Sequence, residues 1–284
     1  MLYSDNCYRK YTQESVTAGA RKVLVIIEAT QERHLALERA VITSEIKEPG
    51  SHVHLFISVD SEKANLSADN KTLYRDDQWL KSITDKLDHT GASYSFEFCW
   101  SNEWQKAVLA SAQHFQPDHI FMPDPQGEKQ SLFSNQQWAL LRTSVAPVSI
   151  IRSDDIKPRK KLLAAVNIQK QDDPEYARLN EKILSEGLSI AEHYGADFYV
   201  INAYKDSMHF PDRQRIMKLS GLETDRVHVE EGDPATVISR YAEQIGADTV
   251  LIGTMARHGA KALMKGNTSE RVLSKLDLDV IAYS

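Results

Sequence analysis

The chain has 284 residues, of which 42% are hydrophobic and 26% are charged. This composition supplies enough apolar side chains for buried cores and excludes an intrinsically disordered chain, and the length suggests about two domains. The net charge of −6 and the isoelectric point near 5.9 argue against nucleic acid or an anionic membrane surface as a partner, because both require a concentrated basic surface.

Cysteine content and hydropathy indicate the cellular compartment. Only Cys7 and Cys99 are present, and no apolar run is long enough to span a bilayer or to act as a signal peptide. We therefore predict a cytoplasmic protein with two free thiols rather than a disulfide, since disulfides are rare in the cytosol. Residues 1–20 are polar and are expected to form a loosely ordered leader.

In the first half, short β-branched runs alternate with longer segments of helical period, a pattern typical of βαβ units and a parallel sheet. The predicted strands cover residues 23–28, 53–59, 94–98, 119–122 and 148–151. The helices between them are indicated by apolar stripes, among them Leu35, Leu37 and Val41, then Trp79, Leu80 and Ile83, then Val108, Ala112 and Phe115.

The second half shows the same alternation. Its predicted strands cover residues 162–168, 198–203, 227–229, 249–252 and 279–283. Asp233 followed by Pro234 predicts a helix that starts with a side-chain cap and a proline in the first turn.

Comparison of the halves reveals an internal repeat. Residues 21–28, 117–122 and 146–151 recur in the same order as residues 161–167, 247–252 and 278–283. A repeat of this kind indicates a tandem duplication. We predict an α/β protein with two doubly wound, five-stranded parallel-sheet domains at residues 21–152 and 161–284, joined by a linker at 153–160.

The second half contains a candidate ligand loop. An apolar strand after Asp248 leads to Gly253 and Ala256, and after nine intervening residues Gly266 and Asn267 begin an amphipathic segment. A strand, a phosphate-sized loop and a helix N-terminus form an anion-binding arrangement, because backbone amides point outward at a helix start. The spacing resembles the Gly-x2-Gly-x9-Gly-(Ser/Thr) nucleotide loop of the universal stress protein family. Ala256 occupies the second glycine position and Asn267 the Ser/Thr position.

The resemblance extends over residues 21–284. Its landmarks are Ala-Val-Asn at 165–167, Glu-Gly-Asp-Pro at 231–234, Ala-Asp-Thr-Val-Leu-Ile-Gly-Thr at 247–254 and Gly-Asn-Thr-Ser-Glu-Arg-Val at 266–272. The tandem layout, with Asn-Glu-Lys at 180–182 and Trp-x-Leu-Leu-Arg at 138–142, is most similar to the two-domain, E-type members. The resemblance implies an adenine nucleotide alpha hydrolase-like fold and an adenine nucleotide, with ATP foremost, as the ligand, and it leaves Mg²⁺ open.

The ligand is expected just beyond the carboxyl ends of the first and fourth strands of the second domain. The candidate binding residues are Asn167, Gly253, Thr254, Ala256, Arg257, Gly266, Asn267, Thr268 and Ser269. Asn167 stands where the resemblance implies an acid and cannot hold a metal as a carboxylate would. In the first half, Pro123 and Ser134 replace the two glycines, so a single site, in the second half, is expected.

We predict a non-catalytic stress-response protein without a metal site. No Ser/His/Asp or Cys/His arrangement is evident, and His52 and His54 share a strand face without a third ligand at suitable spacing. Two alternatives stay open. One is a slow nucleotide hydrolase or phosphotransferase, and the other is a carrier of a less polar small molecule, favoured by Met255, Leu263 and Met264. The two domains are expected to pair through their last strands as an intramolecular pseudo-dimer, and a homodimer stays open.

Overall fold

The computed structural model describes residues 19–29, 31, 33–46, 50–59, 77–101, 104–124, 135–206, 208, 210–254 and 268–284. Most of the predicted leader therefore lies outside the described residues. The chain divides into two compact units. The described residues of the first unit fall within 19–124, 135–140 and 146–157, and those of the second within 141–145 and 158–284. The domain boundaries and the linker expected at 153–160 remain predictions.

The first unit contains a five-stranded parallel sheet. Its strands are β1 (Lys22–Glu28), β2 (His52–Val59), β3 (Ser93–Trp100), β4 (His119–Pro123) and β5 (Val148–Ile151), in the order β3-β2-β1-β4-β5. The helices are α1 (Leu35–Ile46), α2 (Asp77–Asp88), α3 (Trp104–Phe115) and α4 (Asn135–Thr143). The last residues of α4, from Leu141, are assigned to the second unit.

The second unit repeats this topology. Its strands are β6 (Lys161–Ala165), β7 (Asp197–Tyr204), β8 (Val227–Glu231), β9 (Thr249–Gly253) and β10 (Asp279–Tyr283), in the order β8-β7-β6-β9-β10. Its helices are α5 (Pro174–Tyr194), α6 (Arg213–Ser220), α7 (Pro234–Ile245) and α8 (Thr268–Leu273). Both units thus place the first and fourth of their five strands side by side, which confirms the predicted fold class.

Local sequence explains where the helices of the second unit begin and end. Asp173 and Asp233 cap α5 and α7 by accepting hydrogen bonds from backbone amides of the first turn, and a proline follows each. The helices end at Gly195 and Gly246, both with positive φ, a conformation that glycine adopts without a steric penalty. The capped start predicted at Asp233 is therefore confirmed.

The first strand of the second unit is shorter than predicted. The sequence predicts a strand over 162–168, whereas β6 ends at Ala165 and a short 3-10 helix covers Ile168–Lys170. The reason is tertiary, because the amide of Ile168 donates to the side chain of Asn202 rather than to a neighbouring strand. Among the described residues, no helix is long and apolar enough to cross a membrane.

The two histidines of β2 are structural in this unit. His52 Nδ1 lies 2.8 Å from Ser93 Oγ, and its Nε2 lies 2.9 Å from Ser95 Oγ, which also lies 2.8 Å from His54 Nδ1. The described residues contain no cluster of three or more His, Cys, Asp or Glu side chains suited to a metal ion. Burial, together with the nearby charges of His54 and Lys22, lowers the pKa of His52 to about 4.

The low pKa of His52 predicts an acid-sensitive first unit. In the folded state His52 stays neutral down to about pH 4, whereas in the unfolded chain it binds a proton below its ordinary pKa of 6.5. The contribution of neutral His52 to the free energy of unfolding is therefore complete above pH 6.5 and decreases as the pH falls toward about 4. The loss is on the order of 3 kcal/mol, at about 1.4 kcal/mol per pH unit. All four tryptophans, at positions 79, 100, 104 and 138, belong to the first half, so tryptophan fluorescence during urea unfolding isolates its response.

The matched comparison is His52→Gln with His114→Gln. His52→Gln removes the titrating group and is expected to flatten the decline between pH 6.5 and 4, whereas His114→Gln on an exposed turn of α3 should leave it unchanged. An unaltered decline in His52→Gln would contradict the assignment.

Candidate functional site

A cleft of about 440 Å³ opens at the carboxyl ends of β6 and β9 in the second unit. These strands are neighbours in the sheet, and this edge is where ligands bind in doubly wound folds. Four of the sequence-predicted residues line the cleft: Asn167, Gly253, Thr268 and Ser269. The fold therefore brings together residues that are as much as 102 positions apart in the chain.

The turn after β6 is held from one side by Asn180 of α5. The Asn180 side chain accepts a hydrogen bond from the Asn167 amide at 3.1 Å and donates to the Asn167 carbonyl at 3.0 Å. Its amide nitrogen also donates to Gln171 Oε1 at 2.8 Å. Asn180 is almost fully buried, so these bonds replace contacts with water and fix the turn strongly.

Asn202 of β7 holds the same turn from the other side. Its side chain accepts from the Ile168 amide at 2.8 Å and donates to Gln169 Oε1 at 3.0 Å. Gln169 in turn donates to the carbonyl of Ala203 at 3.0 Å. Asn202 has no exposed surface. We call Asn180 and Asn202 the asparagine clamp. Asn167 itself is partly exposed, and its side chain makes no capping hydrogen bond to the 3-10 helix that follows it.

Sequence reasoning missed both members of the clamp as functional positions. Asn180 falls on the buried stripe of α5 with Ile183 and Leu184, and Asn202 falls in the buried, mainly apolar centre of β7. An asparagine within an apolar pattern indicates a hydrogen-bonding role inside the protein, because a buried amide requires partners. This signal could have identified both residues from the sequence.

Gly253 ends β9 at the floor of the cleft, where α5 packs against it. A Cβ atom at this position would lie 2.5 Å from Leu179 Cδ2 and 3.3 Å from Ile183 Cδ1. No side chain fits there unless Leu179 moves. Gly253 therefore serves the packing of α5 on the sheet and keeps the floor of the cleft at the backbone.

Thr254 is the predicted residue that does not reach the cleft. It is buried, and its hydroxyl lies within hydrogen-bond distance of the carbonyls of Leu141, at 3.0 Å, and Tyr283, at 3.1 Å. Its amide donates to the same Tyr283 carbonyl. Four other predicted residues, Ala256, Arg257, Gly266 and Asn267, lie outside the described residues.

Helix α8 is fixed against the start of α7 by an ion pair. Arg271 of α8 donates to the carboxylate of Asp233, which caps α7 through the amide of Thr236. Burial acts to raise the pKa of Asp233, but the hydrogen bonds from Arg271 and Thr236 and the charge of Arg271 lower it overall. The pair links α7 to α8, whose first residues, Thr268 and Ser269, line the cleft.

Two lysines are the charged side chains among the described residues that line the cleft. Lys170 and Lys205 line the cleft, and no Asp or Glu is among the described residues that do so. The Lys170 ammonium lies 3.2 Å from the Tyr176 hydroxyl and 4.5 Å from the centre of its ring. Sequence reasoning assigned the positive charge to Arg257 and overlooked these lysines.

The corresponding position of the first unit carries negative charge. Asp124 follows β4 as Thr254 follows β9, and both amides donate to a carbonyl of the last strand. The Asp124 carboxylate is paired with Arg152 Nε at 2.7 Å and is largely buried. The ion pair neutralises this position internally, so the Arg152 guanidinium is already engaged by Asp124.

Comparison with known proteins relates this fold to one family. Residues 212–284 match the model of the universal stress protein family. The chain is 24% identical to the universal stress protein E homolog of Haemophilus influenzae, over 92% of this chain and 96% of the relative. It is also 24% identical to universal stress protein E of Escherichia coli K12, over 92% and 93% of the two chains.

Solved structures give the same result. A universal stress protein of Pseudomonas aeruginosa UCBPP-PA14 superposes with a TM-score of 0.77 at 26% identity, covering 93% of each chain. One from Archaeoglobus fulgidus superposes with a TM-score of 0.67 at 17% identity, a likeness of fold. The structure is thus that of a tandem, doubly wound α/β protein. Residues 212–284 match the universal stress protein family, and the predicted resemblance to its two-domain, E-type members is confirmed over most of the chain.

The packing of Gly253 predicts the outcome of adding one methyl group. Gly253→Ala should destabilise the second unit by about 1–3 kcal/mol, the usual effect of overpacking. Because the clash is with Leu179, the double variant Gly253→Ala/Leu179→Ala should lose less stability than the sum of the two single variants. Urea unfolding followed by far-UV circular dichroism measures this cycle, and strictly additive losses would refute the packing explanation.

Proposed function

We propose that this protein is a non-catalytic stress-response protein of the cytoplasm that senses an adenine nucleotide, with ATP as the leading candidate, through the cleft of the second unit. The observation that carries the proposal is the combination of an apolar floor, two lysines and several neutral polar groups at the carboxyl ends of β6 and β9. The resemblance to the universal stress protein family supports the stress-response role.

The size and lining of the cleft suit a ligand of nucleotide type. Its volume of about 440 Å³ lies within the range of roughly 300–1,000 Å³ that small-molecule sites occupy. Leu179, Ile183, Ile238, Ile252 and Val272 supply apolar surface for a planar ring system. Such sites combine apolar walls with a few polar groups that fix the orientation of the ligand.

The polar groups divide into two kinds. Lys170 and Lys205 offer positive charge to phosphate oxygens. Asn167, Thr268 and Ser269 offer neutral donors and acceptors to a ribose or to further phosphate oxygens. Carboxylates and histidines are the usual general bases that activate water, and neither is among the described lining residues. The proposal therefore assigns no hydrolytic role to the cleft.

The apolar share of the lining favours one alternative function, a carrier of a less polar small molecule. Such a ligand would use the same aliphatic residues but would gain nothing from the two lysines. Dependence of binding on Lys170 and Lys205 therefore distinguishes the two functions.

Removal of the two lysines provides the test. We expect wild-type protein to bind ATP at one site per chain and Lys170→Ala/Lys205→Ala to bind it on the order of tenfold more weakly, the sum of two partly exposed ion pairs. Lys218→Ala, on α6 and outside the cleft lining, is the matched control and should bind as wild type. Isothermal titration calorimetry measures affinity and stoichiometry together.

The same titrations include outcomes that would contradict the proposal. Two equivalent sites per chain, or ATP affinity that is unchanged in the double variant, would contradict it. Absence of ATP binding, together with recovery of an apolar molecule in native mass spectrometry of the purified protein, would establish the carrier function instead.

A further inference from the structure

We propose that the cleft of the second unit takes its anionic ligand without a divalent metal ion, with lysine in the place that Mg²⁺ occupies in many nucleotide sites. The inference rests on the proposed function and specifies the ionic form of the ligand. It follows from the donor set of the cleft, from the state of the nearby carboxylates and from the position of Asn167.

The donor set does not fit Mg²⁺. This ion requires near-octahedral oxygen ligands and is usually held by one or two carboxylates together with substrate phosphates. Among the described lining residues, the side chains that carry oxygen or nitrogen are amides, hydroxyls and the two lysines, and none is a carboxylate. Lysine ammonium groups repel a metal cation and bind the phosphate oxygens that the metal would bind.

Three carboxylates close to the lining in sequence already have structural partners. Asp173 accepts from the Glu175 amide at the start of α5, and Asp206 accepts from the Met208 amide. Asp233 caps α7 and pairs with Arg271. Recruiting any of them to a metal would break a helix cap, a turn or an ion pair.

The segment between β9 and α8 adds no acid. Residues 255–267, which lie outside the described residues, contain Arg257, Lys261 and Lys265 in sequence and no Asp or Glu. Its composition therefore provides no carboxylate for a metal.

Asn167 occupies the position where an acid would make a metal site feasible. It is the second residue after the end of β6, and its backbone is fixed by Asn180 while its side chain is partly exposed at the cleft. A neutral amide oxygen lacks the charge that offsets dehydration of Mg²⁺. The exchange of one side chain at an already fixed backbone therefore decides the ionic form of the ligand.

Calorimetric titration of the full chain with ATP, in excess EDTA and then in excess Mg²⁺, tests the inference. Mg²⁺ masks phosphate charge that the lysines would otherwise contact, so we expect affinity to be about two- to fivefold higher in EDTA, the effect of one exposed ion pair. AMP, which binds Mg²⁺ only weakly, should show little difference between the two buffers.

The variant Asn167→Asp should reverse this preference. It adds a carboxylate beside the phosphates, which weakens binding in EDTA and makes binding increase with Mg²⁺. Asn167→Ala is the matched control, because it removes the amide without adding charge and should keep the wild-type preference for EDTA. Thermal melting of both variants checks that the protein remains folded.

The outcomes separate the two proposals. If wild-type protein binds ATP only with Mg²⁺, or more tightly with it, the metal-free inference is overturned and the proposed function stands. If wild-type protein binds ATP in neither buffer, the proposed function is overturned and the inference with it. If Asn167→Asp keeps the preference for EDTA, the role assigned to position 167 is wrong.

Discussion

The cleft of the second unit depends on the fixed backbone conformation of the turn that follows β6. Parallel strands end in loops whose backbone groups have no partners in the sheet, and buried backbone groups without partners are costly. Here Asn180 and Asn202 supply those partners from two different elements, and each is nearly or fully buried. Because two independent side chains fix the turn, its backbone is held in one conformation, a preorganisation of the kind that lowers the entropy lost when a site binds a ligand.

The described residues of the resemblance motif are of two kinds, those that pack inside the protein and those that line the cleft. Gly253 is determined by the approach of Leu179, and Thr254 ties β9 to neighbouring carbonyls from within the protein. Asn167, Thr268 and Ser269 face the cleft. A glycine in a phosphate-loop pattern is thus explained here by helix packing, because an added Cβ would clash with Leu179.

Charge distinguishes the two copies of the duplicated unit. The second unit has two lysines and no described carboxylate in its cleft lining, whereas the first has a buried ion pair, Asp124 with Arg152, at the end of its fourth strand. The same topology therefore carries two lysines near the strand ends of one copy and an internally neutralised ion pair in the other. The difference resides in side chains at strand ends, where substitutions leave the sheet intact.

The sequence by itself determined the alternation of strands and helices, the internal repeat and the capped start of α7. These features follow from local periodicity, capping chemistry and spacing, which neighbouring residues encode directly. Only the tertiary structure decided that Asn180 and Asn202 hold the turn, that Lys170 and Lys205 charge the cleft, that Thr254 faces inward and that β6 stops at Ala165. The physical reason is that each depends on partners distant in sequence, and the meaning of a buried amide or a surface lysine is set by the groups that folding brings within reach of it.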